Sequence, residues 1–282
     1  MLVAPAGPLN VGSVARVMKN FGLTQLVLVN PQCDPLSAEA LQMAVHAKDV
    51  LENAQRVETI PDALEGCSYA IATTARQRGF NAPLERPQAV LPTLLTSERS
   101  PSDTALIFGP EDRGLSNEEL TYAQRFTKIP TDAAYSALNL AQAVAVCCYE
   151  LYQATQPKPT ELSSSSPVST GVSSVTLPQN DGIVQAPINE LEGYFQHLER
   201  VLLKVEYLYS HTAASRMRKF RQLLNRASPT SQEVAMLRGI LRQTEWALSE
   251  KPPNESRVLS DHLSVDSPAS EDSDLASDSN QD

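Results

Sequence analysis

Cysteine and histidine are scarce in this chain, four of each among 282 residues. Cys33, Cys67, Cys147 and Cys148 have no paired spacing and no histidine cluster beside them, which excludes a metal centre and a disulfide framework. Cys147 and Cys148 fall inside an apolar helical pattern, where a buried, reduced thiol is the expected role. No apolar run approaches the length of a membrane span and no signal peptide precedes Pro5, so a reducing, cytoplasmic setting without a membrane partner is expected. Gly7 and Gly12 lack the spacing of a dinucleotide-binding turn. There is also no phosphate-loop lysine and no Ser-His-Asp set.

Positive charge is in deficit as well, with a formal net charge of -10. The distribution says more than the sum. Residues 1–156 carry 11 basic and 16 acidic side chains, residues 187–250 carry 9 and 7, and residues 251–282 carry 2 and 8. A basic module is therefore embedded in an acidic chain.

What is present is alternation. Residues 26–29, 68–73, 104–108 and 126–130 have the length and composition of buried strands, and Leu2-Val3 is a shorter one. Val11, Val14, Met18 and Phe21 recur at helical spacing, with Asn10 placed to cap that helix and Gly22 to end it. Further helices are expected over residues 37–51, 61–64 and 91–95, after the Ser116/Glu119 capping-box pattern, and from Leu140 through Val144, Cys148 and Leu151. This predicts an α/β domain over residues 1–156 with a parallel sheet covered on both faces. Residues 157–186, rich in Ser, Pro, Thr and Gly, read as a flexible linker. Residues 187–250 read as a small three-helix domain. Its first helix carries Ile188, Leu191, Phe195, Leu198, Leu202 and Val205, the second spans about 213–227, and the third follows Ser228-Pro229. Residues 251–282 form an acidic tail that is expected to be disordered.

Three polar loops stand out. They are Asn10-x-Gly12-x-x-x-Arg16, Phe108-Gly109-x-Glu111-x-x-Gly114-Leu115-Ser116-Asn117-Glu118-Glu119, and Ile129-Pro130 leading to Tyr135-Ser136-x-Leu138-Asn139-Leu140-Ala141. Composition alone makes them a ligand site at the strand ends of an α/β sheet. In order and spacing they resemble the three motifs of the SPOUT class of RNA methyltransferases, and within it the branch that methylates ribose 2′-hydroxyls. The segment from Asn189 to Leu248, with Ser231-Gln232-Glu233 and Arg238-Gly239-Ile240-Leu241, resembles the helical extension of bacterial members acting on cytidine or uridine at the first nucleotide of the tRNA anticodon loop. The resemblance is thus nearly full length.

That resemblance implies a trefoil knot at the C-terminal side of the α/β domain, a homodimer, and S-adenosylmethionine bound by the knot loops. It implies cofactor contacts from Thr73, Thr74, Ala75, Gly109, Ile129, Ser136, Ala137 and Leu138, with glycine at 109 letting the strand end approach the ligand. Arg16 is implied as the catalytic residue that grips the phosphate beside the target ribose and stabilises the developing alkoxide. Asn10, Glu111, Ser136 and Asn139 would orient the reacting groups, with Glu111 facing the ribose. A sulfonium methyl is already activated, so in-line placement suffices and no metal is expected. RNA contacts are expected from Arg76 and Arg78 and from the acid-free cluster Arg216, Arg218, Lys219, Arg221 and Arg226, for which a solvated helix face is the plain alternative. Ribosomal RNA is the runner-up substrate, and a non-catalytic RNA-binding module is the reading from another class. Relatives begin with a longer apolar strand, so a chain extended upstream is expected to be more stable.

Overall fold

The computed structural model describes residues 1–75, 83–95, 103–156 and 185–249. The acidic tail, all but the last two residues of the expected linker, and Arg76 and Arg78 lie outside them.

Seven short parallel strands are present among the described residues: β1 (Leu2–Val3), β2 (Val27–Val29), β3 (Gln55–Val57), β4 (Tyr69–Thr73), β5 (Leu84–Glu85), β6 (Thr104–Ile107) and β7 (Arg125–Thr127). They lie in the orders β3-β2-β1 and β6-β4-β7-β5. The two sets join where Leu2 pairs with Phe108, with the Val3 amide donating to the Phe108 carbonyl at 2.9 Å and the Phe108 amide to that of Met1 at 3.1 Å. On its other side β1 pairs Leu2 with Leu28 and Val3 with Val29. Two residues make a central strand here because both edges are hydrogen-bonded.

The helices over the sheet are α1 (Pro8–Asn20), α2 (Ala38–Ala44), α3 (Lys48–Glu52), α4 (Ile60–Ala63), α5 (Pro87–Val90) and α6 (Leu140–Thr155), with 3-10 turns at Leu91–Leu95 and Glu119–Tyr122. Strand alternation supplies two cores. Leu2, Leu28 and Ile71 pack with Val11, Val14, Val144 and Cys147, while Val3, Val29, Ala70, Ala72 and Ile107 pack with Leu64 and Leu120 on the opposite face. Helix α1 crosses α2 so closely that a Cβ on Gly12 would stand 2.2 Å from the Ala40 carbonyl oxygen.

Several elements differ from the sequence expectation. Helix α1 begins at Pro8 behind Gly7, so Asn10 lies within its first turn and does not cap it. The helix expected over residues 37–51 is two, because the chain turns at Val45, whose φ is 54°. The capping box at Ser116 forms but opens only a 3-10 turn. Apolar patterning gives no sign of β3 or β5. Gln55 and Arg56 are exposed and β5 has only two residues, so backbone pairing rather than side-chain burial defines these edge strands.

The C-terminal part packs α7 (Ile188–Lys204), α8 (Ser210–Ala227) and α9 (Ser231–Ser249) around Leu191, Phe195, Leu198, Met217, Val234 and Leu241. Gln185, among the described residues before α7, bridges to Thr230. Helix α9 starts after Thr230, not at Pro229. The Glu233 amide donates to Thr230 Oγ1 at 3.2 Å and Glu233 Oε2 accepts from the Thr230 amide at 2.8 Å, a capping box that sets the start. This part docks on the α/β part through the Ile188 amide, 2.8 Å from the Cys67 carbonyl, and through Asn225 Nδ2, which donates to the Thr121 carbonyl at 3.0 Å.

The Met1 ammonium donates to the Leu106 carbonyl at 3.0 Å inside the sheet, and burial pulls its pKa down to about 6 from an ordinary value of 8.0. Between those values the unfolded chain binds more protons than the folded one, so stability rises with pH. The unfolding free energy of this chain is expected to be about 2 kcal/mol larger at pH 8 than at pH 6, with the gradient abolished by N-terminal acetylation. Urea titrations at the two pH values test this, and equal midpoints would show a hydrated amine.

Candidate active site

The loops leaving the ends of β4, β6 and β7 close around one cleft of about 900 Å³ that opens to solvent. All eight expected cofactor contacts line it: Thr73, Thr74 and Ala75 after β4, Gly109 after β6, and Ile129, Ser136, Ala137 and Leu138 after β7. Phe108, Leu115, Leu140 and Ala143, which the sequence reading did not single out for binding, add an apolar wall. Topology brings these segments together, because β4 lies between β6 and β7 in the sheet.

Gly109 is required by the loop itself. A Cβ there would stand 2.3 Å from the Leu115 amide nitrogen and 2.5 Å from the Gly114 carbonyl carbon, so it is the loop's own backbone that leaves no room. The loop folds back on the strand end through the Gly114 amide, which donates to the Pro110 carbonyl at 2.9 Å. Arg113 then clamps it with a fork onto Glu119 at 2.8 and 2.9 Å, while Glu119 also accepts from the Ser116 amide at 2.6 Å. Burial pushes the Glu119 carboxyl up, but the bonds from Arg113 and Ser116 outweigh it and hold the pKa below the ordinary range. Gly109→Ala is expected to destabilise the fold by about 1–3 kcal/mol, because the loop must be displaced. An unchanged melting temperature would mean that the loop yields freely.

A chain of polar contacts joins the three sequence motifs. Glu111 Oε2 accepts from the Ala6 amide at 3.1 Å, and its Oε1 accepts from the Gly7 amide at 3.2 Å and from Asn10 Nδ2 at 2.8 Å. Asn10 Oδ1 accepts from Asn139 Nδ2 at 2.9 Å, and Asn139 Oδ1 caps α6 by accepting from the Ala141 amide at 2.9 Å. The Glu111 carboxylate thus sits at the start of α1, where the helix dipole favours an anion. Partial burial pushes its pKa up, and the bonds from Ala6, Asn10 and Gly7 more than offset that, keeping it below the ordinary range. Glu111 is therefore an ionised tie between the first two loops, and both of its oxygens are engaged by protein donors. It also lines the cleft. Ser136 lies in the loop before α6, where its carbonyl accepts from Thr131 Oγ1 at 3.1 Å, and it is not a helix cap.

Arg16 stands apart. It is exposed on α1, does not line the cleft, and has no acidic partner among the described residues. The basic cluster on α8 is not uniform either. Arg221 is drawn inward onto Glu192 at 2.5 and 2.8 Å, with its guanidinium carbon 4.5 Å from the Phe195 ring centre and 5.5 Å from that of Tyr122. Arg216 donates to the Tyr207 carbonyl at 2.7 Å and lies 5.3 Å from that ring. Arg218, Lys219 and Arg226 make no such contacts among the described residues, and the last two are exposed. None of the four cysteines is in a disulfide among the described residues, and burial raises Cys147 to about 12 and Cys148 to about 11. Among the described residues no group of three or more His, Cys, Asp or Glu is placed to hold a metal, and no helix is long and apolar enough to cross a membrane.

A parallel sheet whose strand-end loops close on one cleft beside a capped last helix defines an α/β ligand-binding site. The model of the SpoU rRNA Methylase family matches residues 1–149, more than half of the chain, and the chain belongs to that family. A second model, the C-terminal domain of tRNA methyltransferase TrmJ, matches residues 189–254. The chain is 38% identical to the tRNA (cytidine/uridine/adenosine-2′-O-)-methyltransferase TrmJ of Pseudomonas aeruginosa (strain UCBPP-PA14), over 87% of this chain and 92% of that one. It is 36% identical to the tRNA (cytidine/uridine-2′-O-)-methyltransferase TrmJ of Cronobacter sakazakii (strain ATCC BAA-894), over 86% and 94%. The crystal structure of TrmJ from Z. mobilis ZM4 superposes with a TM-score of 0.72 at 31% identity, covering 86% of this chain and 97% of that one.

Proposed function

We propose that this chain is an S-adenosylmethionine-dependent tRNA ribose 2′-O-methyltransferase, acting on cytidine or uridine at the first nucleotide of the anticodon loop. The observation that carries the reading is that the second and third sequence motifs line one cleft, with Asn10 of the first motif tied to them through Glu111 and Asn139. The names of the full-length relatives support tRNA over the rRNA of the family description.

The residues fit the cofactor. Phe108, Leu115, Ile129 and Leu138 offer apolar surface to a purine, and the strand-end loops bring backbone groups to its edges. The cationic Arg113 is neutralised by Glu119, and Glu111 is ionised, so the local charge suits a sulfonium. When bound, the cofactor supplies an activated methyl group. The protein then has to align the ribose hydroxyl, exclude water and stabilise negative charge on the attacking oxygen. Asn10 and Asn139 hold the first loop and α6 in register through Glu111. Arg16, a permanent cation with five N–H donors, supplies the charge and grips the neighbouring phosphate.

The reading includes a homodimer, a trefoil knot formed by the chain after β7, and a cytoplasmic setting. Leu9, Tyr149 and Tyr152 are exposed at 52, 50 and 44%, and Phe21 meets both tyrosines at 6.3 and 5.8 Å, an apolar strip along α1 and α6 that supports a partner copy. Because Arg16 does not line its own cleft, we assign it to the cleft of the partner protomer. Residues 187–250, a separate domain in this reading, would hold the tRNA.

Incubation with methyl-labelled S-adenosylmethionine and unmodified tRNA or rRNA, followed by mapping of the 2′-O-methyl site, tests the function. Label at the first anticodon-loop nucleotide supports it, label in rRNA alone selects the runner-up, and label in neither leaves the RNA-binding module.

A further inference from the structure

The groove between α7 and α9 gathers three arginines outside the α8 cluster. It is lined by Gly193, His197 and Arg200 from α7 and by Arg238, Arg242 and Glu245 from α9, and it is open to solvent. Glu245 is the one acidic side chain among these six, and it is already engaged. Its Oε2 lies 3.0 Å from Nε2 of the buried His197, and its Oε1 lies 4.0 Å from Arg200. Arg238 and Arg242 are exposed and meet no hydrogen-bond acceptor or acid among the described residues. The Arg238 guanidinium lies over Gly193, 3.8 Å from where a Cβ would be.

An aromatic platform continues the row. Arg238, Arg242 and Trp246 are spaced by four, which puts them on one side of α9. Trp246 is 53% exposed and makes no ring contact among the described residues. Beside unpaired guanidiniums, an exposed indole completes the pair of features that bind single-stranded RNA. Cations hold the backbone phosphates and a flat ring stacks an unpaired base.

We propose that the α7/α9 groove is a binding site for a single-stranded RNA loop, with Arg200, Arg238 and Arg242 on successive phosphates and Trp246 stacked on one base. The inference rests on the tRNA reading above and deepens it. It moves the centre of RNA contact from α8, where Arg216 and Arg221 are engaged within the fold, to α9.

Trp246 is the chain's one tryptophan, so its emission reports on the site directly. The full chain is titrated with a synthetic, unmodified tRNA anticodon stem-loop and, separately, with a fully paired RNA duplex of equal length. Quenching of Trp246 by the stem-loop, absent with the duplex, is expected. Arg238→Ala/Arg242→Ala should weaken stem-loop binding at least tenfold, flatten its salt dependence by about two phosphate contacts, and raise KM for tRNA. Trp246→Ala should weaken binding about tenfold. Arg238→Gln/Arg242→Gln, which keeps most of each side-chain stem, should behave like the alanine pair. The Lys219→Ala/Arg226→Ala pair on α8 should lose less. Unquenched emission with unchanged affinity in the α9 variants, while the unaltered chain methylates tRNA, would overturn the groove and leave the enzyme reading intact. A chain that neither binds nor methylates tRNA would overturn that reading, and the groove's ligand with it.

Discussion

Arg16→Ala is expected to slow methyl transfer to tRNA about 1,000-fold while the melting temperature and S-adenosylmethionine affinity stay unchanged, the scale seen when one donor to a developing oxyanion is removed. The physical basis is its isolation. Arg16 is exposed, unpaired by any acid among the described residues, and outside the cleft of its own protomer, so its removal leaves packing and cofactor contacts untouched. The same placement gives a sharper expectation. Ala137→Trp should fill the cleft and be inactive by itself. Mixed dimers of Arg16→Ala with Ala137→Trp should recover a substantial part of the lost activity, because one of their two clefts is intact and faces an intact Arg16. No recovery on mixing would place Arg16 in its own protomer's reaction, and joint loss of cofactor binding would make it structural.

Arg221→Ala is expected to cost about 3 kcal/mol of stability, although the residue belongs by sequence to a cluster that reads as an RNA contact. The Arg221 and Glu192 side chains are only 17 and 12% exposed, and the guanidinium is sandwiched between Phe195 and Tyr122. Removing the cation leaves a largely buried carboxylate without its partner and removes a contact that ties α8 to the turn at Glu119–Tyr122. Replacing both members, Arg221→Met with Glu192→Leu, should restore most of the loss, since no charge is then stranded. Chemical denaturation of the three variants decides this. A single alanine variant as stable as the parent, with weakened RNA binding, would return Arg221 to the RNA face.

The pattern of agreement follows the range of the forces involved. Buried strands and long helices were legible because each depends on a run of neighbouring residues: Val27–Val29, Tyr69–Thr73 and Leu140–Thr155 carry their own apolar pattern and caps. The edge strands β3 and β5 were not, because an edge is defined by a neighbour's backbone. The shortness of β1 suggested a weak start, yet its two residues are held on both sides by β2 and Phe108. Asn10 looks like a helix cap in sequence, whereas the residue that caps a helix is Asn139. Asn10 is the bridge that meets it, and the two lie 129 positions apart.

By itself the sequence determined the order of strands and helices, the three loops, their likeness to a family of methylases, and a basic helical module in an acidic chain. Those features reside in local spacing and composition, which survive without a fold. Only the tertiary structure decided that Glu111 is a tie between loops, that Gly109 yields to its own loop's backbone, that Arg221 is spent inside, and that Arg200, Arg238 and Arg242 share a groove. Each of these depends on which distant segments meet. A charge or a glycine acquires its role from what stands within a few ångströms of it, and sheet order and helix packing alone fix those neighbours.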